Sequence, residues 1–289
     1  MKIGVSSYSY SQLTSDPSAN FTVFDAINHA KSIGLSCMDF SGIPSLEGMN
    51  QLESAVVIKD ACDKAGLYVA NYAIGADFLN GSGGDLAAEI ERVKGEVDIA
   101  VALGAVCMRH DATYGWAADK KPPRGFDDAL PRLIEGCRAV TEYGAKLGIK
   151  TTIENHGYFC QDSERVEKLI NGVGNPNFGV LLDMGNFLCA DENPYEAVGR
   201  LAPYALHVHA KDFLYKSGMT KNHGDGWFCT RGGNYLRGTI VGHGIVPVDQ
   251  CIEVLKRAGY DGSVIIEFEG LEKPLQAIEF GANYLKKLV

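Results

Sequence analysis

The sequence predicts an α/β fold, a (β/α)8 TIM barrel built as a single domain over residues 1–289. Two observations predict it. Eight short β-rich runs alternate with longer segments of helical periodicity, and several of those segments stop on a glycine just before the next run. The runs recur roughly every 37 residues, the length that a strand, a crossover helix and two loops occupy. A doubly wound open sheet would show the same alternation, but no G-x-G-x-x-G follows the first run.

In chain order the runs are IGVSS from Ile3, CMDF from Cys37, YVANY from Tyr68, VCMR from Val106, KTTIE from Lys150, FGVLLD from Phe178, ALHVH from Ala205 and VIIEF from Val264. Helical periodicity covers residues 21–32, 52–65, 86–103, 127–147, 163–173, 194–201, 248–258 and 274–288. Gly34, Gly66, Gly104, Gly148 and Gly259 stand at helix-to-strand junctions, where a left-handed residue ends the helix. The rhythm breaks once, after the seventh strand. There the Gly-rich stretch of about 211–246 carries Trp227, Phe228 and Tyr235, too aromatic for a disordered loop, and reads as an insertion that covers the pocket or meets a partner subunit. A homo-oligomer is therefore one expectation.

Composition removes whole classes. At 46% hydrophobic and 22% charged residues the chain is an ordinary globular protein. The longest nearly apolar run, residues 99–108, is about half of the ~18 residues that suggest a membrane span, so no membrane role is expected. The start, MKIGVSSYSY, has no charged segment followed by a long apolar one, and the expectation is that no secretory signal precedes the mature protein. A net charge of −9 with scattered Lys and Arg repels a phosphate backbone, so nucleic acid is not an expected partner. The eight cysteines include no C-x-x-C pair and lie mostly in apolar segments, which fits buried thiols in a cytoplasmic protein.

In such a barrel the functional residues gather at the carboxyl ends of the strands. The last four strands end TTIENHG, VLLDMGN, ALHVHAKD and VIIEFEG. Side-chain alternation puts Thr152, Glu154 and His156 on one face, as it does Leu181 with Asp183, His207 with His209 and Lys211, and Ile265 with Glu267 and Glu269. Four successive strands thus aim Glu154, Asp183, His209 and Glu267 at one point. Three carboxylates crowded there repel one another unless a cation sits between them. Oxygen-rich ligation with one imidazole favours a single Mn²⁺, Mg²⁺ or Co²⁺, with Zn²⁺ also compatible.

The motifs IENHG, LLDMGN, HVHAKDF, GHGIVPV at 242–248 and GSVIIEFEG resemble the xylose-isomerase-like barrel superfamily of sugar and sugar-phosphate isomerases and epimerases. The resemblance spans nearly the whole chain and is strongest from Lys150 onward. It implies that Glu154, Asp183, His209 and Glu267 hold one divalent cation, that a small-molecule sugar or sugar phosphate is the substrate, and that Glu154 and Glu267 are the catalytic pair, exchanging a proton from either face. Loss of a proton beside a carbonyl leaves an enediolate, whose oxygens need stabilisation as charge forms. From it one site reaches an epimer, an aldose–ketose isomer or, if a hydroxyl leaves, a dehydrated ketone of the inosose type. A non-catalytic sugar-binding barrel is the alternative from another class, and a multi-zinc DNA-repair endonuclease would need more His than the seven present and a basic face.

The surroundings depart from the ketose 3-epimerases that the metal motif resembles. Those carry a His three residues after the sixth-strand Asp and an Arg six after the seventh-strand His, where this chain has Asn186 and Tyr215. His156, Lys211, Asn186, Arg109 and His110 are instead the candidate substrate contacts, joined by Tyr8 and Trp116 as an aromatic wall near the strand ends. Tyr72 and Phe78 fall at similar positions, some of which are ordinary packing. Lys211 could alternatively pair with Asp212. His207, one layer below His209, reads as a hydrogen-bonded core residue, and Glu269 as a substitute ligand for Glu267 if the strand is offset. Arg231 and Arg237 in the insertion are candidates for a phosphate group.

Overall fold

In a computed structural model that describes residues 1–117, 124–221 and 223–289, eight parallel strands close into a barrel. They are β1 (Lys2–Ser6), β2 (Cys37–Ser41), β3 (Tyr68–Ile74), β4 (Cys107–His110), β5 (Lys150–Glu154), β6 (Phe178–Asp183), β7 (Ala205–Ala210) and, after an insertion with three strands of its own, β11 (Ser263–Ile266). The order around the barrel is β1-β11-β7-β6-β5-β4-β3-β2. Each crossover is a helix within a few residues of its periodic segment, for example Gln51–Ala65, Leu86–Leu103 and Ser163–Val173. The five junction glycines all have φ between 69° and 83°, which a side chain would oppose.

Alternation sorts each strand into two faces. Val5, Met38, Phe40, Tyr72, Met108, Ile153, Val180, Leu182, Val208 and Ile266 point outward and are buried under the helices. The inward residues are small and apolar at the base, where Cys37, Ala70 and Ile265 pack together and a Cβ on Gly4 would come within 2.5 Å of Cys37 Sγ. They become polar toward the carboxyl ends, where Asp39, Asn71, Arg109, Glu154, Asp183 and His209 are all buried. Seven of the eight cysteines are buried free thiols and Cys229 is exposed. No helix among the described residues is long and apolar enough to cross a membrane.

The insertion is ordered into an antiparallel sheet of β8 (Asp212–Lys216), β9 (Phe228–Cys229) and β10 (Tyr235–Thr239), in the order β8-β10-β9. Asn222 lies outside the described residues. Trp227 is held between Lys216 Nζ, 4.4 Å from its ring centroid, and the Arg237 guanidinium at 5.5 Å. The sheet leans over the β5–β6 side of the mouth, where Tyr158 donates to the Cys229 carbonyl and Arg231 pairs with Asp162 at 2.8 Å. Its root is Asp212. That carboxylate accepts from the N–H groups of Phe213, Gly242, Gly244 and Val246 at 2.8–3.0 Å, tying the start of the insertion to its return turn.

Removing this acceptor strands four backbone donors. We expect Asp212→Ala to lower the unfolding free energy by about 2–4 kcal/mol in urea titrations. A loss below about 0.5 kcal/mol would mean that the return turn holds without it.

Candidate functional site

Register brings the ligand candidates to one level. Asp183 pairs with His209 across β6–β7, His209 with Ile265 across β7–β11, and Glu154 with Leu181 across β5–β6. The Glu267 N–H donates to the Ala210 carbonyl at 3.0 Å, carrying the β11–β7 pairing one residue past the strand. One ligand atom from each of Glu154, Asp183, His209 and Glu267 then lies within 4.8 Å of the others.

Every member is held from behind. Asn155 hydrogen-bonds both the N–H and the carbonyl of Asp183, and Asp183 Oδ1 accepts from the N–H groups of Gly185 and Asn186. This leaves Asp183 Oδ2 buried with no hydrogen bond. Glu154 is gripped by Arg109 Nη2 at 2.7 Å and Asn186 Nδ2 at 3.0 Å. Glu267 receives Lys211 Nζ at 2.6 Å. His209 Nε2 lies 3.0 Å from Asp39 Oδ2, while its Nδ1 is buried without a hydrogen bond, 3.5 Å from Glu267 Oε1.

Asp39 decides which ring nitrogen is free. Burial opposes its charge, but the adjacent His209 and His207 rings outweigh burial and hold the carboxyl well below the usual range. An ionised carboxylate only accepts, so both imidazoles donate through Nε2, and His209 Nδ1 is the nitrogen turned toward the acids, which together with Asp39 favour the charged ring. Asp39, His207 and His209 also group closely enough to suggest a second metal site, but with Asn71 Nδ2 they satisfy one another.

The charge balance is one-sided. Asp39, Asp111, Glu154, Asp183, Glu267 and Glu269 face two permanent cations, Arg109 and Lys211. Burial, only partly offset by Lys211 and reinforced by Glu267 and Glu154, pushes Asp183 up to about 7. Two orphaned buried acceptor atoms, Asp183 Oδ2 and His209 Nδ1, aimed at the same point as two more carboxylates, form a donor set that fits a divalent cation.

Of the substrate-contact candidates, Asn186, Lys211 and Arg109 stand in this cluster. Lys211 is not paired with Asp212, whose oxygens are taken by backbone; its ammonium sits 3.1 Å from Asn186 Oδ1 and 3.4 Å from both Asp183 and Glu269. His156 is at the rim, 3.2 Å from Asp111, and Tyr8 is exposed at the mouth. With Tyr158, Gln161, Asn186, Lys211, Phe228 and Glu269, His156 lines a cavity of about 160 Å³ beside the cluster. Two candidates stand elsewhere. His110 has the opposite parity from Arg109 and packs between Phe78 and Phe178, with Nδ1 on the Asp111 carbonyl. Trp116 donates to the Gly125 carbonyl and lies under Arg124, away from the cluster. Tyr72 and Phe78 are core residues. Tyr215 bonds Asn234 on the insertion sheet, and Arg231 is committed to Asp162.

Three functional positions carried little signal in sequence. Asp39 shares inward parity with Cys37, which was the only clue to it. Asp111 follows β4 and receives Arg109, His156 and Tyr114 together. Asn155, one step out of phase with Glu154, holds the Asp183 backbone.

The chain belongs to the family described as the xylose isomerase-like TIM barrel, whose model matches residues 27–288. An inosose dehydratase from Bacillus licheniformis is 27% identical over 179 residues, 58% of this chain and 57% of that protein. The chain thus matches only a little over half the length of that relative. Among solved structures, an L-ribulose 3-epimerase superposes with TM-score 0.75 at 14% identity, covering 99% of this chain and 93% of the other. D-psicose 3-epimerase from Clostridium cellulolyticum gives TM-score 0.74 at 16% identity, over 100% and 99%.

Two outcomes follow. Asp39→Ala frees His209 to turn or change tautomer, and should weaken Mn²⁺ binding by about 10–100-fold in calorimetric titration with the far-UV spectrum unchanged; unaltered affinity would show that the ring is held without Asp39. Burial pushes His110 down to about 4, so as pH falls from about 6.5 toward 4 the unfolded chain takes up a proton that the folded chain refuses, and stability drops. Wild type should therefore lose about 3 kcal/mol more than His110→Phe between pH 7 and pH 4, read from urea midpoints.

Proposed function

We propose that the protein is a divalent-metal-dependent isomerase or epimerase of a keto-sugar, working by proton transfer through an enediolate. The observation that carries this reading is the placement of Glu154 at the end of β5 and Glu267 just past β11, with two strands between them, and with Asp183 Oδ2 and His209 Nδ1, buried without a hydrogen bond, in the gap. Glu154, Asp183, His209 and Glu267 would hold the metal. Once bound, it supplies Lewis-acid stabilisation for negative charge growing on neighbouring substrate oxygens.

The chain's own groups do the rest. A sugar carbon lying between Glu154 and Glu267 can lose its proton to one carboxylate and regain one from the other, which inverts the centre. Arg109 stays charged throughout and fixes the Glu154 carboxylate without competing for the proton. Lys211 orients Glu267 and faces Glu269 and Asn186, so hydroxyls entering from the 160 Å³ cavity meet a cation, an amide and an acid.

A second reading, dehydration of a keto-polyol, is favoured by one asymmetry: of the two glutamates only Glu267 has a primary ammonium as neighbour, beside the half-buried Glu269, and that edge can accompany a departing hydroxyl. The likeness to an inosose dehydratase supports it.

Glu154→Gln and Glu267→Gln should each lower turnover by at least ~10²-fold while one Mn²⁺ per chain is still held. In D₂O the wild type should label the carbon beside the carbonyl of its ketose or inosose substrate, and both variants should lose the label. Unlabelled product from the wild type would mean hydride transfer, and would sink the two-glutamate mechanism.

A further inference from the structure

An apolar hollow lies beside this centre. A recess of about 570 Å³ opens over the carboxyl ends of β1 and β2, with Phe21, Phe24, Phe40, Ile43 and Leu46 as its apolar wall and no charged side chain in its lining. Serine and threonine hydroxyls complete the lining. The wall is preformed: Phe21 stacks on the fully buried Tyr10 with ring centroids 5.6 Å apart. Residues 7–12 are also stitched across the top of β11 and β2. Ser9 Oγ donates to the Ile266 carbonyl and accepts from the Phe268 N–H, Gln12 bonds the Gly270 carbonyl, and the Ser41 N–H donates to Ser7 Oγ.

The segment that lines the recess touches the tip of β11: Tyr8 lines the recess, and Ser9, next to it, bonds Ile266 and Phe268, the residues on either side of Glu267. Glu269 and Lys211 in turn line the polar cavity. The polar cavity, lined by Glu269, and the apolar recess over β1 and β2 therefore lie on either side of the β11 tip. Because β1 is the direct neighbour of β11, a ligand beside Glu267 reaches the recess without leaving the barrel top.

We propose that this recess is a second subsite of the same centre and binds the aromatic aglycone of a keto-sugar glycoside. The inference rests on the proton-transfer reading above and narrows its substrate class. The recess offers no cation to a phosphate and no charged or amide side chain to further sugar hydroxyls, whereas Tyr8, Phe21, Phe24 and Phe40 give an aromatic group faces and edges to pack on. Its volume is within the ordinary range of small-molecule sites and larger than a free monosaccharide would use in addition to the polar chamber.

The test uses the Mn²⁺-loaded protein with 2-naphthyl and methyl glucopyranosides, both anomers of each, in calorimetric titration. One naphthyl anomer should bind at least about tenfold tighter than its methyl counterpart. Leu46→Asp and Val23→Asp, at half-buried positions of the wall, should erase that preference with Mn²⁺ still bound. Photolysis of a 4-azidophenyl glucoside with wild type should label residues between Ser7 and Leu46, a readout that needs no variant. Equal affinity for naphthyl and methyl glycosides in the Mn²⁺ form overturns the subsite, as does labelling confined to other parts of the chain. So does an oligomer that Leu46→Asp converts to monomer while wild type shows no naphthyl preference, which makes the recess a contact between copies. Failure of the underlying reading shows itself separately, as wild-type protein that neither holds Mn²⁺ nor exchanges substrate protons with solvent.

Discussion

The interaction on which the rest of the site depends is the hydrogen bond from His209 to Asp39. Asp39 and Glu267 both favour the charged ring and outweigh its burial, so a cation entering the cluster would have to displace a proton from His209. With Asp39 occupying Nε2, Nδ1 is the nitrogen that faces the acids. The cost is a sixth negative charge inside a barrel with two permanent cations near it. Asn71 and His207 offset it by donating to the same carboxylate, so the polar middle layer exists to support the layer above.

The rigid parts and the adaptable parts are separated accordingly. Glu154, Asp183, His209 and Glu267 all sit at strand ends whose registers are fixed by neighbouring strands, and Asn155 and Asp212 lock the two turns closest to them. Groups at the rim lie outside the barrel strands and are tethered by a few local bonds. His156 rests on Asp111, and Tyr158 on the insertion. A barrel arranged in this way keeps the geometry of its strand-end cluster while its rim changes.

Much of this was legible in the sequence because period-2 alternation and closure of the barrel are strong constraints. They place the strand-end ligands together whatever lies between them in the chain. The same alternation separates Arg109, which reaches Glu154, from His110, which faces the helices; adjacency in sequence suggested a shared role that parity denies. Trp116 was illegible for a different reason: past the end of β4 no period governs where a side chain points. Asp39 was missed because its two partners are 168 and 170 residues away, and nothing local distinguishes an inward acid on the second strand from one that caps a helix. The insertion announced itself by glycine and aromatic content, but a two-residue strand such as Phe228–Cys229 has no pattern to read.

The mouth is chemically lopsided, and the lopsidedness follows from topology. Strands β5, β6, β7 and β11, whose ends bring Glu154, Asp183, His209 and Glu267 together, occupy one arc, and the insertion that emerges from β7 places Phe228 at the polar cavity. Strands β1 and β2 complete the opposite arc and bear no cluster ligand at their tips, so the segments following them are free to be apolar without disturbing the charge balance. Asp39, on β2, is no exception, because it sits one layer below and spends its charge on His207 and His209. A molecule entering the mouth would thus meet charged and hydrogen-bonding groups around Lys211 and Glu269, and aromatic surface over β1 and β2, where Tyr8 adds a hydroxyl.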